Sequence, residues 1–428
     1  MKGVAAFVLA GGRVMEMGVL TDKRAKAAVP FAGTYRIIDF AMSNLGMSGV
    51  DRVGVLSQYR PSSLMDHVRN GEPWGLLGRG REVQMLPPFQ AENRVDWYRG
   101  TADAVFQNLG FLGDAERVLI CSGDHVYNMD YSMILEEHMA RGADLTMVFK
   151  RFTKEACSKF GNAVIDDSGR VTWYQEKPAV PRSDLGSLTI FLFERQILEH
   201  YLRAAYRQVG QLQHLYDQVV PRIVREGHVH AFEFHGYWAY TRTIDDYYHT
   251  SMDLFRPGSG FDLDTWAVTS NTEESGVGDK GPARIGPGAE VSDCRLAPGC
   301  EVYGSVTRSI LSPGVIVEEG AVVEDSVVMN GVRVQSGTRI VKGIVDKGVE
   351  IGAGCTIGHN GPAVPNLTAG SYHTCGVTVI GRDVMIGSGV TVGANVQIAP
   401  GQTIQDGARV PDGAFVEHDG EEPWFERW

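Results

Sequence analysis

The sequence predicts an α/β domain with a mostly parallel sheet, followed by a triangular parallel β-helix built from six-residue repeats. Three observations carry this. Short β-rich runs alternate with helix-like segments over residues 1–255, a Gly/Ser/acid-rich stretch fills 256–282, and from Ala283 an aliphatic residue recurs every six positions. Strand–helix–strand alternation argues for a parallel sheet covered on both faces. A short fixed period with small corner residues argues for a coil whose sides each turn one aliphatic side chain inward.

In chain order, Val4–Leu9 is apolar throughout and runs into Gly11-Gly12, which reads as a buried first strand ending in a turn. Helices are expected over Tyr35–Met47, Ser62–Arg69, Thr101–Phe111 and Tyr131–Ala140, and further strands over Arg52–Ser57, Arg117–Cys121 and Asp144–Phe149. In such sheets ligands sit beyond the carboxyl ends of the strands. The Gly11-Gly12 turn and the Ser122-Gly123-Asp124-His125 turn both fall at that edge. Residues 256–282 read as a linker. The repeat then spans 283–416, in strings such as EVYGSV, VIVEEG, VEIGAG and GVTVGA. Gly361–Gly376 (GPAVPNLTAGSYHTCG) breaks the period and is expected as a loop extruded from one corner. The tail 417–428, with EEPWFERW, is expected as a cap or subunit contact.

A chain of 428 residues has room for two or three domains with their own cores. Its net charge of -12 argues against nonspecific nucleic-acid binding or a basic membrane-docking surface, so neither partner is expected. Cys121, Cys157, Cys294, Cys300, Cys355 and Cys375 form no C-x-x-C pair, so neither a zinc site nor a disulfide framework is indicated. The opening MKGVAAFVLAGG is too short and glycine-broken for a signal peptide, and no apolar run is long enough to cross a bilayer. A cytoplasmic location is expected.

A loop that wraps phosphate needs glycines where backbone approaches oxygen and cations where charge gathers. Gly11, Gly12 and Arg13 meet that need, but Val14, Met15 and Glu16 bring bulk and negative charge. Beyond the turn lie TDKRAK (Thr21–Lys26), YRIIDFAMSN (Tyr35–Asn44), WYRGTADAV (Trp97–Val105), SGDHVYNMDY (Ser122–Tyr131) and EKP (Glu176–Pro178). With the hexapeptide repeat, these strings resemble the sugar-nucleotide pyrophosphorylases, and within them the glucose-1-phosphate adenylyltransferase (ADP-glucose pyrophosphorylase) family. The resemblance covers nearly the whole chain.

It implies a Rossmann-like nucleotidyltransferase domain followed by a left-handed β-helix. The implied reaction joins glucose-1-phosphate to ATP and releases pyrophosphate, with Mg²⁺ and cations neutralising the transferring group. On that resemblance Lys26 and Asp124 are the retained catalytic positions, and Asp124 also meets the metal. Nucleotide-binding positions are Gly11, Gly12, Arg13, Lys23, Gln90, Tyr98, Gly100, Thr101 and Asp103; Arg24 belongs with Lys23 and Lys26 in a basic cluster facing phosphate. Glu176, Lys177, Ser187 and Trp238 lie on the sugar-phosphate side. The blander readings are that Asp124 caps the following helix and that Lys177 is an ordinary surface lysine.

The chain departs from the family pattern at several of these sites. The family loop G-G-R-G-x-R-L becomes Gly11-Gly12-Arg13-Val14-Met15-Glu16-Met17, so a glycine is valine and the catalytic arginine is glutamate. At roughly 5 Å and an effective dielectric near 20, one charge pair is worth about 3 kcal/mol. Reversing the sign therefore costs a bound phosphate about 6 kcal/mol, or roughly four decades. Tyr240 stands where the family has its second metal-binding aspartate, which leaves Asp124 without a partner carboxylate. Gln213-His214-Leu215-Tyr216 replaces a histidine-aspartate-phenylalanine-glycine stretch near the sugar, and Phe89-Gln90 replaces a glutamine pair near the base.

These changes imply a catalytically impaired member acting as a non-catalytic or regulatory subunit, beside an intact homologue in a hetero-oligomer or as a homotetramer. Mg²⁺ is the expected cofactor only if the chain is active. The alternatives are a genuine ADP-glucose-forming enzyme and a protein that binds a sugar phosphate or nucleotide sugar. Hexapeptide coils also build acyltransferases that use a histidine as general base, for which His359 and His373 are the candidates.

Overall fold

The apolar run Val4–Leu9 becomes a central strand, paired in parallel with Arg52–Leu56 on one side and Arg117–Ser122 on the other. Neighbours on both edges and helices on both faces explain why Val4 to Val8 are buried without alternation. The structure, a computed structural model, describes residues 1–12, 14–89, 97–273, 277–362 and 364–417. Arg13, Gln90 and the expected capping tail from residue 418 lie outside the described residues.

The chain divides into two compact units. The first comprises Met1–Gly12, Ile38–Trp238 and Trp266–Thr269. Its nine-stranded sheet runs Val171–Glu176, Gly161–Ile165, Leu185–Glu194, Arg117–Ser122, Val4–Leu9, Arg52–Leu56, Glu82–Leu86, with Leu145–Arg151 and Val229–Glu233 branching from Leu185–Glu194. Leu185–Glu194 runs antiparallel to Arg117–Ser122, with Ile190 opposite Cys121. That register carries Ser187 past the carboxyl end of Arg117–Ser122, the edge where the Gly123-Asp124 turn begins.

Two helices differ from the pattern read in the sequence. The first begins at Ile38 rather than Tyr35, because Tyr35–Arg36 pairs with Pro30–Phe31 as a short antiparallel ladder. The Thr101–Phe111 pattern splits into a helix over Thr101–Gln107 and a 3₁₀ turn over Leu109–Leu112. Asn108 sits at the break, its Nδ2 donating to the Ala104 carbonyl at 2.8 Å, a side-chain bond that competes with helical continuation.

The second unit comprises Arg13–Ile37, Ala239–Thr265 and Ser270–Trp428. Within it the six-residue period folds as three seven-stranded parallel sheets, the sides of a left-handed β-helix. One inward column stacks Val302, Val317, Val334 and Ile351; the others stack Val306, Val323, Ile340 and Ile357, and Leu311, Val328, Val345 and Ile380. All are buried. The ladder skips from Ile357 to Thr378, so the period breaks where the extruded loop was expected.

One wall of the β-helix is not solvated. Its outward-facing Ile310, Val327, Ile344 and Val379 are also buried, because residues 14–37 and 239–265 lie against that wall. A Cβ on Gly33 would sit 3.7 Å from Ile310 Cγ2, and Tyr248 donates to the Asp325 carbonyl at 2.8 Å. Arg24 pairs with Asp346, both side chains almost fully buried. The described residues of the expected linker, 256–273 and 277–282, carry buried side chains. Phe261, Leu263, Val268 and Val277 are buried, Phe261 meets Phe31 with ring centroids 6.0 Å apart, and Trp266 meets Phe40 at 6.2 Å. Among the described residues no helix is long and apolar enough to cross a membrane.

Removing one partner of a buried ion pair strands the other charge away from water. Asp346→Ala should lower unfolding free energy by about 3–5 kcal/mol, read from denaturant titration of the full chain. A loss within experimental error would show that Arg24 finds another carboxylate or water.

Candidate functional site

The expected site residues fall in two groups, one in each unit. In the first unit, parallel pairing of Leu9 with Ser122 brings Gly11 and Asp124 to the same sheet edge. The Gly11 carbonyl accepts from Tyr59 N–H at 3.1 Å, and Gly123 N–H donates to the Leu9 carbonyl at 3.0 Å. Asp124 accepts from the Ser122 hydroxyl and lies 3.4 Å from His125 Nε2. It does not cap the following helix. That role belongs to Asp130, which accepts from Ser132 N–H at 2.9 Å.

The sugar-side residues meet at that edge. Glu176 stands opposite Gly161, and Gly186, beside Ser187, stands opposite Asn162. Burial pushes the Tyr174 hydroxyl far above its ordinary pKa, so it stays protonated and donates to Glu176 at 2.8 Å. Lys177 holds a left-handed backbone (φ 40) with its amine 3.9 Å from Glu176. Trp238 is buried among rings, 4.8 Å from His125, 5.6 Å from Phe160 and 5.8 Å from Phe152.

Tyr98, Gly100, Thr101 and Asp103 cluster at one helix start, and their polar atoms bond within the protein. Tyr98 donates to the Leu86 carbonyl at 3.0 Å and accepts from Asn108 at 2.8 Å. Asp103 accepts from Arg99 N–H and Gln107 Nε2, both at 3.0 Å, and the Thr101 hydroxyl accepts from Leu215 N–H at 3.0 Å. A Cβ at Gly100 would lie 2.6 Å from the Gln213 carbonyl carbon and 2.9 Å from His214 Nδ1, so no larger residue fits. His214 stacks on Tyr216 at 5.0 Å. Burial holds the His214 pKa below its ordinary value; Asp217 opposes and Lys177 adds to the shift.

In the second unit, Met15–Thr21 forms a 3₁₀ turn whose Met17, Val19 and Leu20 point into the core. Thr21 closes it, donating to the Val14 carbonyl at 2.9 Å and in reach of the Gly18 carbonyl at 3.1 Å. The turn's acid is not left bare. Arg242 donates from Nε and Nη2 to Glu16 Oε1 at 2.9 and 2.7 Å, and from Nη1 to the Tyr240 hydroxyl at 3.1 Å. Burial acts to raise the Glu16 pKa, but its backbone bond, Arg242 and Lys26 together leave it below the ordinary carboxylate value. Burial likewise opposes the Arg242 charge, yet Tyr240 and Glu16 drive its pKa above the ordinary arginine value.

This overturns the cost derived from the sequence. An unpaired Glu16 would repel phosphate by the full charge reversal; a Glu16 already bonded to Arg242 presents a neutralised pair. Nor do the three basic residues of TDKRAK act as one cluster. Lys23 is exposed, Arg24 is turned onto Asp346, and Lys26 is buried with its amine 4.9 Å from the Tyr240 ring centre. Sequence reasoning missed Arg242. Its signal was an arginine two positions past Tyr240, in a chain with an acid at Glu16.

Mg²⁺ takes one or two carboxylates together with phosphate oxygens, and of the expected pair this chain carries only Asp124. Position 240 offers a phenol held between a guanidinium and an ammonium, a setting that repels a dication. Among the described residues no three His, Cys, Asp or Glu side chains are grouped to hold a metal ion. The acyl-transfer reading fails on geometry too. His359 Nδ1 accepts from Gly361 N–H at 3.0 Å, so its proton sits on Nε2 and bonds Asp412 at 3.0 Å, leaving no free lone pair for a general base. His373 is fully buried.

The nucleotidyl transferase family profile matches residues 5–256, and the GlmU-like C-terminal hexapeptide profile matches 283–380. The chain is 42% identical to the glucose-1-phosphate adenylyltransferase of Thermotoga neapolitana over 328 residues, covering 75% of this chain and 76% of the relative. It is 36% identical to the enzyme of that name from Fervidobacterium nodosum over 387 residues, covering 90% and 92%. The relative from Acetivibrio thermocellus is also 36% identical over 387 residues, covering 89% of each chain.

Because the folded Glu16 pKa is depressed, the pair's stabilisation is full above the ordinary carboxylate value of 4.5 and is lost as pH falls through the folded value. Arg242→Ala should cost about 1 kcal/mol at neutral pH for this partly exposed pair. The difference from the parent should shrink as denaturation is repeated below that value. A pH-independent difference would mean that Arg242 contributes through packing instead.

Proposed function

The chain belongs to the glucose-1-phosphate adenylyltransferase family, and we propose that within it this member is catalytically impaired and serves as a non-catalytic or regulatory subunit. The Glu16–Arg242 pair carries the reading. The guanidinium beside the turn is already satisfied by an acid on the turn itself, and the adjoining position offers a phenol in place of a carboxylate. A triphosphate entering there would have to break an ion pair and would meet no second metal ligand. We place the chain in the cytoplasm, assembled with an intact homologue as a hetero-oligomer or with itself as a homotetramer. It would still bind a sugar phosphate or nucleotide through the Glu176, Lys177, Ser187 and Trp238 edge.

One observation favours an active enzyme instead. Arg242 returns a cation to the neighbourhood of the turn, and Lys26 is retained. If Glu16 releases Arg242 to the nucleotide, ADP-glucose would form with Mg²⁺ supplied alongside ATP.

Pyrophosphate release separates the two. Purified chain given ATP, glucose-1-phosphate and Mg²⁺ should release none above background, and robust turnover would remove the proposal. The triple variant Val14→Gly, Glu16→Arg, Tyr240→Asp should gain activity, because it returns to these three positions the glycine, arginine and aspartate of the family pattern. No gain would place further defects elsewhere in the pocket. Co-purification with an intact homologue from the native source would support the subunit role.

A further inference from the structure

One outward column of the β-helix runs Ile310, Val327, Ile344, Val379, Gln397 in register. An amide follows four buried aliphatic residues, and Gln397 is itself 1% exposed. Burying an amide there is costly unless both its ends are bonded. Both are. Gln397 Oε1 accepts from Val19 N–H at 3.2 Å, and its Nε2 donates to His373 Nδ1 at 3.3 Å. His373, fully buried, donates its Nε2 proton to the Val377 carbonyl, which fixes the tautomer that can accept from the amide. Gly18 makes room for this contact. Its φ is +50, and a Cβ there would collide with Gln397 Oε1.

A second tie runs from the same extruded loop. Asp245 accepts from Thr374 N–H at 2.9 Å and from its hydroxyl at 2.9 Å, and Asp245 follows Arg242 by three positions. The loop that interrupts the hexapeptide period is therefore bonded toward both members of the Glu16–Arg242 pair. One route passes through Gln397 to Val19, the other through Asp245 to the start of helix Ile244–Met252.

We infer that Gln397 is a positioning residue for the Met15–Thr21 turn, and that loop 364–376 sets the placement of the Glu16–Arg242 pair through His373–Gln397 and through Asp245. The geometry gives the interruption of the repeat a task, since a regular coil would bring neither His373 nor Thr374 to these partners. The inference is independent of whether the chain turns over.

Hydrogen exchange on the full chain, followed by mass spectrometry, tests it. Gln397→Leu removes both bonds, and exchange over residues 14–21 should rise about fivefold to tenfold, with the β-helix strands unchanged. Gln397→Glu keeps an acceptor for Val19 N–H, so it should retain the parent exchange over 14–21. It also sets a carboxylate beside His373, whose other charged neighbour is Asp245. The His373 pKa, read by imidazole C2 exchange, should therefore rise. Asp245→Ala should speed exchange over 364–376 and, through the loop, over 14–21. The inference is overturned if Gln397→Leu leaves 14–21 unchanged or loosens the whole coil with it, or if Gln397→Glu behaves like Gln397→Leu. It also fails if Asp245→Ala frees the loop without moving the turn.

Discussion

The Met15–Thr21 turn keeps its charge in balance because Glu16 pairs with Arg242. A carboxylate on a phosphate-type turn is a defect when considered alone, because it places negative charge where an anionic ligand would sit. Paired with a guanidinium that also bonds Tyr240, it becomes the centre of a closed polar group joined by Lys26 over the tyrosine ring. The pair is partly exposed and worth about 1 kcal/mol, so it balances the charge of the turn more than it anchors the fold. The turn's acid is thus matched within the chain, and on the proposed reading a triphosphate that drew on Arg242 would first have to displace Glu16.

The pair can be held so closely because the turn rests on the β-helix wall. Met17, Val19 and Leu20 are buried, Val19 N–H is received by Gln397, and Arg24 pairs with Asp346 in the interior. Each contact on its own is worth little beyond the desolvation it repays. Together they remove the freedom that a glycine-rich turn would otherwise have. Val14 contributes as well: a β-branched residue in place of glycine narrows the backbone choices of the turn's entry.

Much of this architecture was legible in the residues. The period-six aliphatic pattern determines the coil because one inward side chain per side is a packing requirement, and Val302 to Ile351 satisfy it. The buried first strand followed from an apolar run ending in glycines. The sequence misled where a polar residue's partner is remote. Arg24 reads as one of three cations in TDKRAK, and nothing local says that Asp346, far along the chain, takes it. Glu16 reads as an unpaired acid until Arg242 is seen beside it. Residues 256–282 read as a linker by composition, yet Phe261 and Trp266 among the small and acidic residues find aromatic partners. The extent of the first helix was misjudged because Tyr35–Arg36 had a strand partner in Pro30–Phe31.

These misses share a cause that bears on how the chain acts. Local sequence reports what a residue prefers, whereas charge at a site is set by every group that reaches it. Against the family pattern that the sequence resembles, position 16 carries an acid and position 240 a phenol, and Arg242 bonds the residues at both. A chain drifting without constraint would be expected to leave the acid of the turn unmatched, at a cost in stability. On the proposed reading, matching it keeps the fold while leaving Arg242 occupied, as selection for assembly and not for turnover would. On the proposed reading, the ion pair is therefore the structural solution to keeping a nucleotidyltransferase scaffold intact after its chemistry has been given up.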